Sequence, residues 1–172
     1  MTNPAFIAAN QTTRQVVGIA EMKLSSRKGD VLVTYALGSC VGICIYDPDA
    51  GVGGLLHAML PSGGKDPVKA RVQPARFVDT GVPALFKEAY RLGAKKERIV
   101  VKVAGGATVT GKAESDTFKI GKRNIVTLKK LFWKNGVLIR AEDLGGTVSR
   151  TLSLDMTSGE VRVRTNGTTT VL

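Results

Sequence analysis

Aromatic residues and cysteines are scarce in this sequence of 172 residues, and their scarcity narrows the range of functions. Phe, Trp and Tyr make up 5% of the chain, so a bound nucleic acid would find few rings for its bases to stack on. Cys40 and Cys44 are too few and too close in sequence for a disulfide framework, and reduced thiols are typical of the cytosol. No segment reaches the roughly 18 consecutive apolar residues of a membrane span. We therefore expect a cytoplasmic protein without membrane insertion.

Acidic residues are also under-represented. Lys and Arg number 25 against 14 Asp and Glu, which gives a formal net charge of +11 at pH 7. Such an excess attracts acidic partners and speeds their encounter, but it does not identify the partner. A nucleic-acid-binding domain is disfavoured, because the chain has few aromatics, no recognised binding motif and no basic helix or arm concentrated at one end.

The hydrophobic periodicity predicts an α+β domain with many strands and two helices. Short apolar or alternating runs bounded by turn-forming residues predict the strands, and apolar residues three and four positions apart predict the helices. The predicted strands cover residues 16–19, 31–35, 41–46, 54–59, 99–103, 137–141, 151–154 and 161–164, and the second predicted helix covers residues 123–134.

The first predicted helix is bounded by punctuating residues. Asp79 or Thr80 is expected to cap its start, and Gly93 is expected to end it. Pro83 then falls in or beside the first turn, where backbone donors lack helical partners anyway. The preceding residues 62–74, rich in Gly, Pro and basic side chains, are expected to form a loop.

No internal repeat, low-complexity tract or interdomain linker divides the chain. Residues 1–14 lack the basic start and the long apolar stretch of a secretory signal, and we expect them to be a flexible extension. A single folded domain is expected at residues 15–165, followed by a C-terminal tail at residues 166–172.

Two side chains offer chemistry. His57, the only histidine, lies in the apolar segment GLLHAML. Cys40 closes the segment ALGSC, where Gly38 permits a tight turn with free amides that can lower a thiol pKa and hold an oxyanion. Cys44, inside an apolar run, is expected to be a small buried hydrophobe. One His and two Cys four residues apart do not match the usual zinc spacings, so neither a metal nor a cofactor is expected.

A catalytic cysteine needs an imidazole to activate it, and the imidazole needs a third group to orient it. Thr34, Asp47 and Asp143 are candidates for that group, and their spacing does not choose among them. Spacing also does not show that Cys40 and His57 meet in the fold. A cysteine hydrolase is therefore one hypothesis, beside a structural histidine and an inert cysteine.

Six short motifs follow one another in order, and the pattern spans residues 16–164. They are TYALGSCV at 34–41, HAMLP at 57–61, FVDT at 77–80, AGGA at 104–107, IGKRN at 120–124 and EDLGG at 142–146, with Arg150 four residues further on. Together these motifs resemble the CheD family, the chemoreceptor glutamine deamidases of bacterial and archaeal chemotaxis. The pair Tyr35-Ala36 departs from the smaller, glycine-containing pair of the family pattern.

The resemblance implies a catalytic triad in which Cys40 is the nucleophile, His57 is the general base and acid, and Thr34 orients the imidazole. It also implies a central β-sandwich of mixed sheets flanked by helices. The substrates would be glutamine side chains on the cytoplasmic helices of methyl-accepting chemoreceptors, converted to glutamate with release of ammonia. A CheC-like phosphatase of CheY is the implied partner. The alternative function is an adaptor that stimulates that phosphatase, with deamidation secondary.

Four further residues are expected to support the cleft or the fold: Ser39, Arg123, Asn124 and Asp143. Asn124 is expected either to cap the second helix or to face the cleft. Arg123 is expected either to pair with Asp143 or to help in guiding acidic receptor helices to the cleft. The basic residues expected to share that guiding role are those of segment 65–76 with Lys119 and Lys122.

Overall fold

The computed structural model describes residues 11–108 and 118–172, and these residues form two five-stranded sheets and three α-helices. The strands are β1 Thr13–Val16, β2 Glu21–Ser25, β3 Asp30–Leu37, β4 Val41–Asp47, β5 Val52–Ala58, β6 Val100–Gly105, β7 Ile139–Leu144, β8 Arg150–Asp155, β9 Val161–Thr165 and β10 Thr168–Val171. The helices are α1 Pro67–Val72, α2 Val78–Arg91 and α3 Ile120–Lys134.

Both sheets are mixed. Sheet I has the strand order β1-β3-β8-β9-β10, and sheet II has the order β2-β5-β4-β6-β7. One edge pair in each sheet is parallel, β1 with β3 and β6 with β7, and the other pairs are antiparallel. The predicted α+β class, a β-sandwich of mixed sheets flanked by helices, is confirmed.

Two apolar cores hold the layers together. The first lies between the sheets and draws on both, with Leu32 of β3 and Leu152 of β8 packed towards Leu55 of β5. The second lies on the outer face of sheet II, where Leu85 of α2 and Leu128 of α3 cover the strands. Burial of these side chains stabilises the fold by roughly 1.5–3 kcal/mol each, before the conformational entropy of ordering them is counted.

Strand alternation assigns the side chains of β4 and β5 to these two cores. Cys44 and Leu55 belong to the core between the sheets, whereas Ile43 and Leu56 belong to the core under the helices. Because successive side chains of a strand point to opposite faces, the even positions of β4 and the odd positions of β5 face sheet I. His57 is therefore directed into the sandwich.

The predicted strand at residues 16–19 is wrong. Strand β1 ends at Val16 and β2 begins at Glu21, and the connection between them includes Ala20 with a φ of +59°. The amide of Glu21 donates to the carbonyl of Gly18 at 3.2 Å, so residues 18–21 form a turn between the two strands. The strand at β2 was missed because its exposed Glu21 and half-buried Lys23 give it a polar appearance.

The predicted loop at residues 62–74 contains the short helix α1. Asp66 caps it by accepting a hydrogen bond from the amide of Lys69, 3.0 Å away, and Pro67 occupies the first helical position. An aspartate followed by proline is a helix-start signal as much as a turn signal, since proline has a helical φ and needs no donor there.

Helix α2 begins earlier than predicted, at Val78, and its N-cap is Phe77 rather than Asp79 or Thr80. The Thr80 hydroxyl donates to the carbonyl of Pro74 instead, at 2.8 Å. Pro83 consequently lies inside the helix, beyond the first turn. The helix tolerates it because its other face is anchored in the core by large apolar side chains.

The ends of the chain add strands to sheet I. Residues 1–10 of the predicted extension lie outside the described residues, and Thr13 and Arg14 already pair with β3. At the other end, β10 pairs antiparallel with β9. The domain boundaries given above remain predictions.

Candidate active site

Cys40 lies in the short connection between β3 and β4, beside the end of β6. Its carbonyl accepts a hydrogen bond from the amide of Gly106 at 2.8 Å, and the carbonyl of Gly38 accepts one from Ala107 at 2.8 Å. A Cβ added to Gly105 would lie 2.3 Å from the Cys40 carbonyl oxygen, so only glycine fits there. The backbone around Cys40 is thus fixed from both sides while its thiol remains partly exposed.

The departure from the family pattern at Tyr35-Ala36 coincides with an irregularity of the fold. The pairing of β3 with β8 shifts register between Thr34 and Leu37, and Ala36 has a φ of +55°. Glycine adopts such a conformation at no steric cost, whereas alanine must be held in it by its surroundings. The bulge lies between two of the predicted site residues, Thr34 and Cys40.

Thr34 and His57 come from different sheets and meet in the sandwich. Both side chains are 0% exposed, and the Thr34 Oγ1 lies 2.7 Å from the His57 Nδ1. The Thr34 hydroxyl also donates to the carbonyl of Val17, at 2.7 Å. A hydroxyl has one proton, and because that proton goes to Val17, Thr34 accepts from the histidine.

This pair of hydrogen bonds determines the tautomer of the neutral imidazole. The proton sits on Nδ1, and Nε2 carries a free lone pair. The Nε2 atom is buried and has no hydrogen-bond partner among the described residues. His57 is therefore oriented as a base with its acceptor nitrogen available.

The register of β4 and β5 puts Cys40, one residue before β4, diagonally across from His57, and the Cys40 thiol makes no hydrogen bond to Nε2 in this structure. Gly42 lies directly opposite His57, and Val41 lies opposite Ala58. The Cys40 side chain packs against the core between the sheets, and the buried His57 of β5 is directed into the same layer. A diagonal pair of this kind has α carbons about 7–8 Å apart, a gap that the side chains of cysteine and histidine can bridge.

Gly42, which lies opposite His57, allows close packing beside the site, and an isolated glycine inside an apolar strand is a sequence signal for such packing. A Cβ there would lie 2.6 Å from a methyl group of Leu152 and 2.9 Å from one of Leu37. Val17 was missed as a site residue, and it contributes a backbone carbonyl for which side-chain identity gives no signal.

Burial keeps the Cys40 thiol and the His57 imidazole neutral. Burial lowers the pKa of His57 to about 4, because an imidazolium ion is poorly solvated inside the sandwich. Burial also raises the pKa of the Cys40 thiol, an effect opposed by the thiol's contact with its own backbone amide. At neutral pH the site thus holds a thiol and a neutral imidazole. This state suits removal of the thiol proton by the imidazole as the sulfur attacks, rather than a thiolate–imidazolium ion pair that exists beforehand.

The two carboxylates considered as orienting groups are engaged elsewhere. Burial alone would raise the pKa of Asp47, but hydrogen bonds from Arg98 and from nearby backbone amides outweigh it and lower that pKa to about 2. Asp143 accepts a hydrogen bond from Arg150 at 2.9 Å and does not pair with Arg123. Of the three candidates, Thr34 is the one bonded to His57.

Asn124 links the two halves of the site instead of capping a helix. It lies in the first half of α3, is 0% exposed, and donates from Nδ2 to the carbonyls of Ser39 and Met59, each at 2.9 Å. Ser39 precedes Cys40, and Met59 follows His57 by two residues. One side chain therefore fixes the approach to the cysteine relative to the strand that carries the histidine.

Neither a metal site nor a membrane span is found in residues 11–108 and 118–172. No group of three or more His, Cys, Asp or Glu side chains in these ranges is placed to hold a metal ion. No helix within the same ranges is long and apolar enough to cross a bilayer.

Comparison with known proteins places this chain among named relatives. The family described as CheD chemotactic sensory transduction matches residues 59–165. A Syntrophus aciditrophicus (strain SB) protein named probable chemoreceptor glutamine deamidase CheD 1 is 49% identical over 88% of this chain and 94% of its own length. Proteins named probable chemoreceptor glutamine deamidase CheD from Solibacter usitatus (strain Ellin6076) and Pyrococcus abyssi (strain GE5 / Orsay) are 43% and 45% identical, over 88% of this chain and 89% and 92% of theirs.

These alignments include the segment that carries the candidate site. An alignment over 88% of this chain is too long to miss residues 34–57. A solved structure, the Bacillus licheniformis hypothetical protein YfiH, superposes on 78% of this chain and 60% of its own, with a TM-score of 0.44 and 12% identity. Family membership therefore rests on the sequence relatives and on the matched family region. The chain belongs to the CheD family.

Proposed function

We propose that this protein is a glutamine deamidase that acts on chemoreceptors, with Cys40 as nucleophile, His57 as general base and acid, and Thr34 as the residue that orients the imidazole. The observation that carries the proposal is the buried hydrogen bond from His57 to Thr34, which leaves the Nε2 lone pair free to act as a base. The names of the relatives supply the substrate class, glutamine side chains of chemoreceptors.

The first half of the reaction forms a thioester. His57 Nε2 takes the proton of the Cys40 thiol as the sulfur attacks the carboxamide carbon, and the carbonyl oxygen becomes an oxyanion. The imidazolium then gives that proton to the departing nitrogen, the carbon–nitrogen bond breaks, and ammonia leaves. Thr34 accepts from Nδ1 throughout, so the ring does not rotate while its charge changes.

The second half releases glutamate. Water attacks the thioester carbon while Nε2 takes one of its protons, and the carbon–sulfur bond then breaks as the same proton returns to the sulfur. Oxyanions formed in both halves need fixed donors. The amides of Ser39 and Cys40 suit that role, since neither donates to a backbone carbonyl within residues 11–108 and 118–172.

The direct test is mass spectrometry of a purified chemoreceptor cytoplasmic fragment incubated with this protein. We expect individual glutamines to gain the small mass that marks replacement of an amide by an acid, with release of an equal amount of ammonia. The test requires a folded receptor fragment in excess. If all of its glutamines then keep their amides, the proposal is contradicted.

Replacing Thr34 by valine is expected to lower kcat by about 100-fold, because the isosteric side chain cannot accept from Nδ1 and the imidazole loses its orientation. Thr34→Ser is the matched control, since it retains the hydroxyl and should recover most of the activity. Steady-state kinetics on a glutamine peptide separate the two variants. Equal losses in Thr34→Val and Thr34→Ser would assign Thr34 a packing role only.

A further inference from the structure

We infer that a basic groove beside the candidate site recognises carboxylates on the substrate helix, so that the enzyme favours glutamines with acidic neighbours one or two helical turns away. The inference rests on the proposed deamidase function and adds the rule by which a glutamine is chosen. The basic groove is defined by six cationic residues around Pro61 and Ser62: Lys65, Lys69, Arg76, Lys119, Lys122 and Arg123.

Two adjoining depressions make up the basic groove. One, of about 450 Å³, lies along the start of α3 and includes Lys119 and Lys122. The other, of about 260 Å³, lies along α1 and includes Lys65 and Lys69. Pro61, Ser62 and Arg123 line both, so the two depressions form one continuous surface.

The charge of the basic groove is nearly all of one sign. Asp66 is the one acidic residue among the described side chains that line it, and its carboxylate already caps α1 and lies 3.7 Å from Lys69. The Nε atom of Arg76 is buried and has no hydrogen-bond partner among the described residues. The groove therefore offers cationic donors to an anionic ligand, with Arg suited to bidentate contact with a carboxylate.

The groove is attached to the site by short, rigid links. Pro61 and Ser62 follow His57 by four and five residues, and the carbonyl of Arg76 accepts from the amides of Met59 and Leu60 at 3.0 and 3.1 Å. Arg123 is the neighbour of Asn124, whose side chain is bonded to Ser39 and Met59. The four residues from His57 to Pro61 can span about 13 Å when extended. Two turns of a substrate helix are about 11 Å long, so a side chain two turns from the reacting glutamine can reach the groove.

An acidic α-helix fits this surface better than a nucleic acid. The exposed apolar side chains of Phe118 and Val126 border the cationic residues, so the groove combines charge with an apolar strip. An amphipathic helix presents carboxylates and apolar side chains at the same spacing, with positions four apart on one face. Stacking of successive bases would need several exposed rings, and Phe118 is the one exposed ring among the described residues that line the groove.

The reaction itself extends this rule. Each conversion replaces a neutral amide with a carboxylate, so a glutamate produced at one position becomes an acidic neighbour for a glutamine one turn away. Methyl esterification of such a glutamate removes the charge again. The groove thus makes the rate at one glutamine depend on the modification state of its neighbours.

Three helical peptides of about 20 residues test the rule, each with one glutamine flanked at positions −7, −4, +4 and +7 by Glu, by Ala or by Lys. At low ionic strength we expect kcat/KM to be about tenfold higher for the Glu peptide than for the Ala peptide, and lowest for the Lys peptide. The advantage should shrink as salt is added. Conversion is followed by mass spectrometry.

Matched charge reversals on α3 locate the effect. The double substitution Lys122→Glu/Arg123→Glu is expected to bring the Glu-to-Ala ratio close to one, whereas Lys130→Glu/Lys134→Glu, exposed on the same helix outside the groove, should keep it. Equal rates for the Glu and Ala peptides with the unmodified protein, or equal effects of the two double substitutions, would overturn the inference while deamidation stands. No conversion of any peptide or receptor fragment would instead contradict the proposed function.

Discussion

Cys40→Ala is expected to reduce deamidation of a receptor fragment to the uncatalysed background, a loss of at least about 10⁴-fold in kcat. The loss should be in kcat because the thioester cannot form, while the substrate still contacts the rest of the cleft. The backbone of Cys40 is held by Gly106 and Asn124 holds the preceding carbonyl, so the substitution should leave the fold intact. Time courses of ammonia release and glutamine mass provide the measurement.

Cys44→Ala is the matched control. Cys44 is 1% exposed in the core between the sheets, and burial raises its pKa, so its thiol is neither accessible nor nucleophilic. We expect the Cys44 variant to keep the activity of the unmodified protein, and iodoacetamide to label Cys40 alone in the folded protein. A Cys40→Ala protein that still deamidates at the normal rate would assign the nucleophile to another residue.

The Cys40→Ala variant also distinguishes the enzyme hypothesis from the adaptor hypothesis. An adaptor for a CheC-like phosphatase needs an intact surface but no nucleophile. Cys40→Ala should therefore leave any such binding unchanged, whatever its effect on glutamine. Measuring glutamine deamidation and phosphatase binding on one preparation shows whether the protein has one of these activities or both.

The strands and helices with clear apolar periodicity could be predicted from sequence, and those that depend on pairing could not. Strand β4 and helix α3 appear as an apolar run and an amphipathic stripe, and both are present. Strand β10 is fully exposed along its length and has no periodic signal, because it is an edge strand stabilised by its hydrogen bonds to β9. Helix α1 was hidden by the proline and glycines around it.

In the candidate site, the residue types could be predicted from the sequence, but their spatial arrangement could not. Cys40 and His57 stand out because the chain has few alternatives, with two cysteines and one histidine. The choice of Thr34 over Asp47 and Asp143 needed the family resemblance, since it depends on β3 and β5 facing each other across two sheets. The carbonyl of Val17, which sets the direction of the Thr34 hydrogen bond, belongs to a stretch whose conformation was predicted wrongly.

His57 should also make stability depend on pH between about 4 and 6.5. Its pKa is about 4 in the folded protein and near 6.5 when unfolded, because burial disfavours the imidazolium ion. The resulting stabilisation is complete above pH 6.5 and is lost as the pH falls from 6.5 towards 4, since the unfolded chain then binds a proton that the folded chain refuses. At about 1.4 kcal/mol per pH unit, the total loss is about 3 kcal/mol.

Urea unfolding at pH 7, 6 and 5 measures this loss, and His57→Gln is the variant that should remove it. Because His57 is the only histidine and the lowered pKa values of Asp30 and Asp47 act below pH 4, the free energy of unfolding of the variant should be nearly flat between pH 7 and 5. The variant should also lose deamidase activity, whereas the unmodified protein should retain it down to about pH 5, where Nε2 is still a free base. The same decline in unfolding free energy in both proteins would show that burial does not hold His57 neutral, whereas loss of activity in His57→Gln separately tests its role as the base.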